Sequence, residues 1–198
     1  MSNVTDTDIR NAARAVADGE LVVYPTETVY GLGADALDPA AVARVFEAKG
    51  RARSKPISMA VADLATAREY TRLTDREVAF IETFLPGPVT VVVERGSMIP
   101  DVLTAGKDRV GLRIPDQEVA LSLVEQTGPL TATSANVSGT GSVRHTDELD
   151  STIRDAVGVV LDGGETPGGG STVADIERGV IHRRGQYAEE IEDWLDKQ

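Results

Sequence analysis

The chain has 198 residues, no cysteine and only two histidines, His145 and His182, which excludes disulfides, thiolate metal sites and cysteine nucleophiles and argues against a multi-histidine metal centre. Its 32 acidic against 20 basic residues give a net charge of −12, which opposes stable non-specific nucleic-acid binding and reads as a salt-adapted acidic surface. No apolar run approaches the roughly 20 residues a bilayer span needs, and the start MSNVTDTDIR has no signal pattern, so a soluble cytoplasmic protein of one domain over residues 1–198 is expected.

In chain order, residues 7–18 predict a helix stopped by Gly19, and ELVVY (20–24) a strand. Asp38 caps a helix that has Pro39 in its first turn and runs to Gly50. ISMAV (57–61) is extended, and helices follow at 63–71 and 75–84. Pro86-Gly87-Pro88 breaks the helical pattern before VTVVVE (89–94), a strand rich in β-branched residues. VGLRI (110–114), a helix at 116–126 and the strand PLTATS (129–134) come next. The last group is a helix at 147–156, a strand at 158–162, short strands near 172–175 and 179–183, and a C-terminal helix. Alternation of helix and strand predicts an α/β fold, and strands that follow one another without a helix between them predict a mixed sheet.

Three polar loops each follow an apolar strand, the position where open α/β sheets gather ligands. The first, Pro25–Gly33 (PTETVYGLG), sets two threonine hydroxyls, a carboxylate and a phenol between a stiff proline and two glycines. The second, Ser134-Ala135-Asn136-Val137-Ser138-Gly139 with Ser142 close behind, offers small hydroxyl and amide groups suited to phosphate or ribose. The third, 162–172, nearly matches a Walker loop, but Gly170 stands where lysine belongs and an extended segment follows where a helix is required. A Walker site is therefore rejected. Each loop also reads as an ordinary turn.

Four cations lie within Lys49–Lys55 (Lys49, Arg51, Arg53, Lys55), although the chain has only four lysines among its 20 basic residues. A helix end favours such charge, and an anionic ligand would use it through arginine forks and lysine point charges. Arg113, a cation in an apolar strand, needs a carboxylate or phosphate partner. Arg109 is a weaker candidate, and His182 reads as structural. The inventory of cations, hydroxyls, amides and glycines suits catalysis by positioning and charge stabilisation, as in nucleotidyl transfer.

Taken together, PTETVYGLG (25–33), KGR (49–51), PGPVTVVV (86–93), GLRIP (111–115), TSANVSG (133–139) and DGG…GGGSTV (162–173) resemble, in order and spacing, the YrdC-like family of threonylcarbamoyl-AMP synthases. The resemblance covers roughly residues 10–185 and implies a twisted, mixed, mostly parallel sheet flanked by helices around a concave cavity. It implies an enzyme that condenses L-threonine, bicarbonate and ATP to threonylcarbamoyl-AMP and pyrophosphate, with Mg2+ accompanying the triphosphate and no tightly bound cofactor. A downstream complex would transfer the threonylcarbamoyl group to tRNA beside the anticodon. By motif, Thr28, Tyr30, Arg113 and Ser171 would surround threonine, and Arg51, Lys55, Ser134, Asn136, Ser142 and Arg183 the ATP or adenylate. Lys49 and Arg51 would offset charge developing at the α-phosphate. The sequence departs from many members at Ala60, where they have His, and at Gly170, where they have Glu; the second domain that some members close over the site is not expected here. Two alternatives stand beside this reading: an RNA-binding or ribosome-maturation factor of the same fold, and a carbamoyl-adenylate domain serving another acceptor. Only eight aromatic residues are available for base stacking, and direct nucleic-acid binding is expected to be weak or absent.

Overall fold

A computed structural model describes residues 4–197. It has ten strands: β1 (Leu21–Tyr24), β2 (Gly31–Gly33), β3 (Ser58–Ala60), β4 (Thr71–Arg72), β5 (Val89–Arg95), β6 (Arg109–Arg113), β7 (Leu130–Ser134), β8 (Val157–Val160), β9 (Thr172–Asp175) and β10 (Val180–Arg183). The helices are α1 (Asp6–Ala17), α2 (Pro39–Lys49), α3 (Leu64–Tyr70), α4 (Asp75–Phe84), α5 (Asp101–Thr104), α6 (Glu118–Thr127), α7 (Ser151–Ala156) and α8 (Ala188–Asp196).

Local chemistry sets most helix ends. Thr5 closes a capping box with Asp8 at the start of α1, and Thr74 does the same with Glu77 for α4. Asp38 caps α2 with Pro39 at its first position, and Gly50 ends it in the left-handed region, as the sequence predicts. The expected helix at 147–156 is corrected. It divides into a 3-10 turn (Thr146–Glu148) and α7, because Leu149 is extended and Asp150 starts a new helix by accepting from the Thr152 N–H.

The strands form one sheet in the order β10-β9-β5-β6-β3-β7-β2-β1-β8, with β4 branching from β5. It is mixed, as expected, but less parallel than expected. β1·β8, β3·β6 and β5·β9 pair in parallel, and the other six pairings are antiparallel. The reason is local: β1 turns straight into β2, and β9 into β10, and such short returns reverse direction. β2 escaped the sequence reading because it is three residues long and two are glycine. A Cβ on Gly31 would lie 2.8 Å from the ring of buried Tyr24, so only glycine lets that ring lie across β2.

Period-two alternation divides the two sheet faces. Val89, Val91 and Val93 of β5 and Val110 and Leu112 of β6 face a core shared with Val42, Val45 and Phe46 of α2, Phe80 of α4 and Ile191 of α8. On the opposite face, α1 and α6 bury Ile9, Ala12, Val119 and Leu123 against Val22, Tyr24 and Leu130. The same face carries polar side chains over β5, β6, β9 and β10, and there it forms a cavity.

Candidate active site

The cavity has a volume of about 800 Å³, in the range of small-molecule sites. Three strand-end loops meet around it. Thr28 and Tyr30 come from the loop after β1, Ser134 and Ser142 from the end of β7 and the loop beyond it, and Gly169, Gly170 and Ser171 from the loop before β9. Arg51, Arg113 and Arg183 complete one end. Lys107, Arg109 and Arg178 line the other end, so six cations face the cavity against two carboxylates, Asp108 and Asp175. In a chain of net charge −12 this concentration of cations sets the cavity apart from the acidic whole.

The first loop is pinned by Thr26. Its Oγ donates to the Val29 carbonyl (2.6 Å), accepts from the Thr28 and Val29 N–H groups, and lies 2.9 Å from Thr28 Oγ. Tyr30 ties this loop to the third: its hydroxyl donates to the Gly164 carbonyl (2.6 Å) and accepts from the Gly163 N–H (3.0 Å). Burial, with Asp162 nearby, pushes the Tyr30 pKa up to about 12. Its ring lines the cavity, but its hydroxyl serves the loop, so the structure gives Tyr30 an anchoring task.

Three other expected site residues are not among those that line the cavity. Lys49 is buried under the second loop, donating to the carbonyls of Ser134 and Asn136 (2.6 Å to the latter), and does not line the cavity. Burial, and then Arg51, lowers its pKa to about 8. Asn136 turns its amide inward, donating to Val137 and Thr140 carbonyls and accepting from Ser134 Oγ. Lys55 is exposed, its ammonium has no partner among the described residues, and its carbonyl accepts from Arg51 Nε at 3.0 Å. Together these groups build the loops that present the other residues.

Arg51 also donates to the Pro56 carbonyl (2.8 Å) and pairs with no carboxylate. Arg183 donates to the carbonyl and hydroxyl of Ser171 (2.9 and 2.6 Å). Burial, and then Arg113 and Arg51, hold the Arg183 pKa below its usual value, which places three guanidiniums within electrostatic range of one another. Arg113 differs. Its Nη2 donates to Glu27 Oε1 (2.6 Å) and Thr28 Oγ (3.1 Å), while its Nε is buried without a partner.

The sequence reading missed Lys107 and Arg178, which line the cavity, and Glu27, the partner of Arg113, and took His182 as structural, although it lines the cavity from the exposed strand β10. Arg109, the weaker candidate of the sequence, lines the cavity because Arg109, Gly111 and Arg113 alternate with Val110 and Leu112 and so share one face. It binds Asp175 (3.0 Å) and buried Glu77 (3.2 Å). Ala60 lies on the cavity wall, packed against the α1–α6 core. The third loop leads into β9, so it has no helix N-terminus of the Walker kind.

The class so defined is an α/β protein whose sheet carries a cation-lined cavity beyond its strand ends. The family model Sua5_yciO_yrdC, described as "Telomere recombination", matches residues 14–185, and the chain belongs to this family. Threonylcarbamoyl-AMP synthase of Pyrococcus abyssi is 38% identical over 195 residues, covering 96% of this chain and 57% of the relative. A protein of Methanocaldococcus jannaschii named putative threonylcarbamoyl-AMP synthase is 38% identical over 154 residues, covering 77% of this chain and 72% of its own length. Among solved structures, P. abyssi Sua5 complexed with L-threonine superimposes with a TM-score of 0.89 at 40% identity, covering 93% of this chain and 56% of that one. The chain thus spans little more than half the length of the P. abyssi relative.

Proposed function

We propose that this protein is an L-threonylcarbamoyladenylate synthase, joining L-threonine, bicarbonate and ATP to give threonylcarbamoyl-AMP and pyrophosphate. The observation that carries this reading is the cavity itself, where six cations and the hydroxyls of three loops converge in an acidic chain. The names of the P. abyssi and M. jannaschii relatives support it, as does the threonine complex of P. abyssi Sua5.

The chemistry joins the threonine amine to bicarbonate with loss of water, and a carbamate oxygen then attacks the α-phosphate as pyrophosphate leaves. In this reading Arg113, Thr28 and Ser171 receive the amino acid, with the guanidinium facing its carboxylate. Arg51, Arg183, Ser134 and Ser142 face the nucleotide phosphates, where fixed cations stabilise developing charge without reorganising. Lys49, Asn136 and Tyr30 act by holding the loops in register. No covalent bond to the protein is required. Of the two cavity carboxylates, Asp175 is paired with Arg109 and lies 3.7 Å from Arg178. In this reading Mg2+ arrives with the triphosphate as part of the substrate. We place the enzyme in the cytoplasm of a salt-adapted cell, handing its product to a tRNA-modifying complex; among the described residues no helix is long and apolar enough to cross a membrane.

The test is incubation with ATP, bicarbonate and labelled L-threonine at high salt. AMP-linked threonylcarbamoyl product with stoichiometric pyrophosphate is expected, and pyrophosphate release that ignores threonine would overturn the substrate. Arg51→Ala should cut turnover roughly 100-fold or more while leaving the circular dichroism unchanged. Tight, salt-resistant RNA binding without turnover would favour the RNA-binding alternative.

A further inference from the structure

The three guanidiniums at the near end of the cavity are not equivalent. Arg51 is held by two carbonyls and Arg183 by the carbonyl and hydroxyl of Ser171, so both keep their full positive charge. Arg113 alone of the three has an acidic partner, Glu27, 2.6 Å away with both side chains largely buried (12% and 13% exposed). The pair is one-handed. Arginine and carboxylate bind most strongly through two parallel bonds, yet here Nη2 takes Glu27 Oε1 and Thr28 Oγ together, while Arg113 Nε and Glu27 Oε2 are buried without partners. Packing that sacrificed two polar atoms was not optimised for the strength of the pair. It leaves a neutralised guanidinium, fixed on one side by the first loop, with Nε buried and Nη1 without a partner among the described residues.

We propose that Glu27 is the specificity-determining positioning residue that reserves Arg113 for the amino acid. This rests on the proposed synthase reading. A polyphosphate carries several negative charges and goes where positive charge is uncompensated, at Arg51 and Arg183. A zwitterionic amino acid brings one carboxylate with an ammonium beside it, and tolerates a neighbouring carboxylate that a triphosphate does not. Glu27 thereby sets Arg113 apart from Arg51 and Arg183, the neighbouring guanidiniums that only carbonyl and hydroxyl oxygens hold. It also fixes the guanidinium beside Thr28, which leaves Nη1 for the threonine carboxylate.

The experiment uses Glu27→Gln, which keeps an oxygen for Arg113 Nη2 but removes the charge, and Glu27→Asp, which keeps the charge with a shorter reach. Steady-state rates are measured against threonine with inorganic tripolyphosphate as the added anion, and thermal unfolding is recorded for all three proteins. For Glu27→Gln, tripolyphosphate should become competitive against threonine with a Ki roughly tenfold lower than in the parent, and KM for threonine should rise roughly tenfold more than KM for ATP. Glu27→Asp should retain the parent's resistance to tripolyphosphate even where its threonine KM rises. Unaltered tripolyphosphate inhibition in Glu27→Gln would overturn the proposal, as would equal rises in both KM values, the pattern of a merely structural role. A fall in melting temperature alone does not produce competition between tripolyphosphate and threonine. Absence of threonine-dependent turnover in the parent protein would instead overturn the synthase reading, and this inference with it.

Discussion

Lys49 shows how a residue type can be read correctly and its task misplaced. A lysine among the few in an acidic chain marks the site, but the residue is 2% exposed and its ammonium holds two carbonyls of the second loop. Its pKa is pressed down to about 8, chiefly by burial, from 10.5. Between those values the unfolded chain binds the more protons, so Lys49's contribution to stability is full above pH 10.5 and is lost as pH falls through about 8. Lys49→Met has no such titration. The unfolding free-energy gap between parent and Lys49→Met should therefore widen by about 1–2 kcal/mol from about pH 7.5 to about pH 9.5, measured by urea denaturation. A gap independent of pH would show that the ammonium does not sit at a depressed pKa. Lys49 and Arg51 stand two positions apart, yet one is turned under the loop and the other faces the cavity, a division that composition does not reveal.

At the level of elements, the strand-end loops are held by contacts between loops that are far apart in sequence. Tyr30 reaches across more than 130 positions to Gly163 and Gly164, and the Gly168 N–H donates to the Thr28 carbonyl at 2.7 Å. Removing the phenolic oxygen in Tyr30→Phe leaves the carbonyl of exposed Gly164 and the N–H of half-buried Gly163 without this partner. The expected cost is about 0.5–1.5 kcal/mol of stability. Backbone hydrogen exchange over 162–171 should quicken before that of β5 or β6, and unchanged exchange there would show that the loop is held by something else. The sequence placed all three loops beyond strands correctly, because apolar runs followed by Gly, Ser and Asn are local signals. It could not see that the loops restrain one another.

Across the whole molecule, a net charge of −12 surrounds a cavity with six cations and two carboxylates. Salt acts on these two features in opposite ways. Raising salt from about 0.1 M to about 1 M shortens the screening length from about 10 Å to about 3 Å. Self-repulsion of the acidic surface weakens, so thermal stability should rise, while the cavity's attraction for triphosphate weakens, so KM for ATP should rise. A melting temperature that falls with salt would show that surface repulsion is not a significant burden on this fold.

The α/β class, most helix ends, the strand-end position of the loops and the cationic segment were determined by the sequence alone, because caps, turn residues and period-two alternation act over a few neighbouring positions. The tertiary structure decided the rest. Pairing direction depended on which strands meet, and made the sheet less parallel than expected. Only packing could show that Lys49, Asn136 and Tyr30 hold loops, that Lys107 and Arg178 join Arg109 at the far end, and that Glu27 pairs with Arg113 across 86 positions. Residue type states what chemistry is available, and burial and long-range contact decide which atoms remain free to use it.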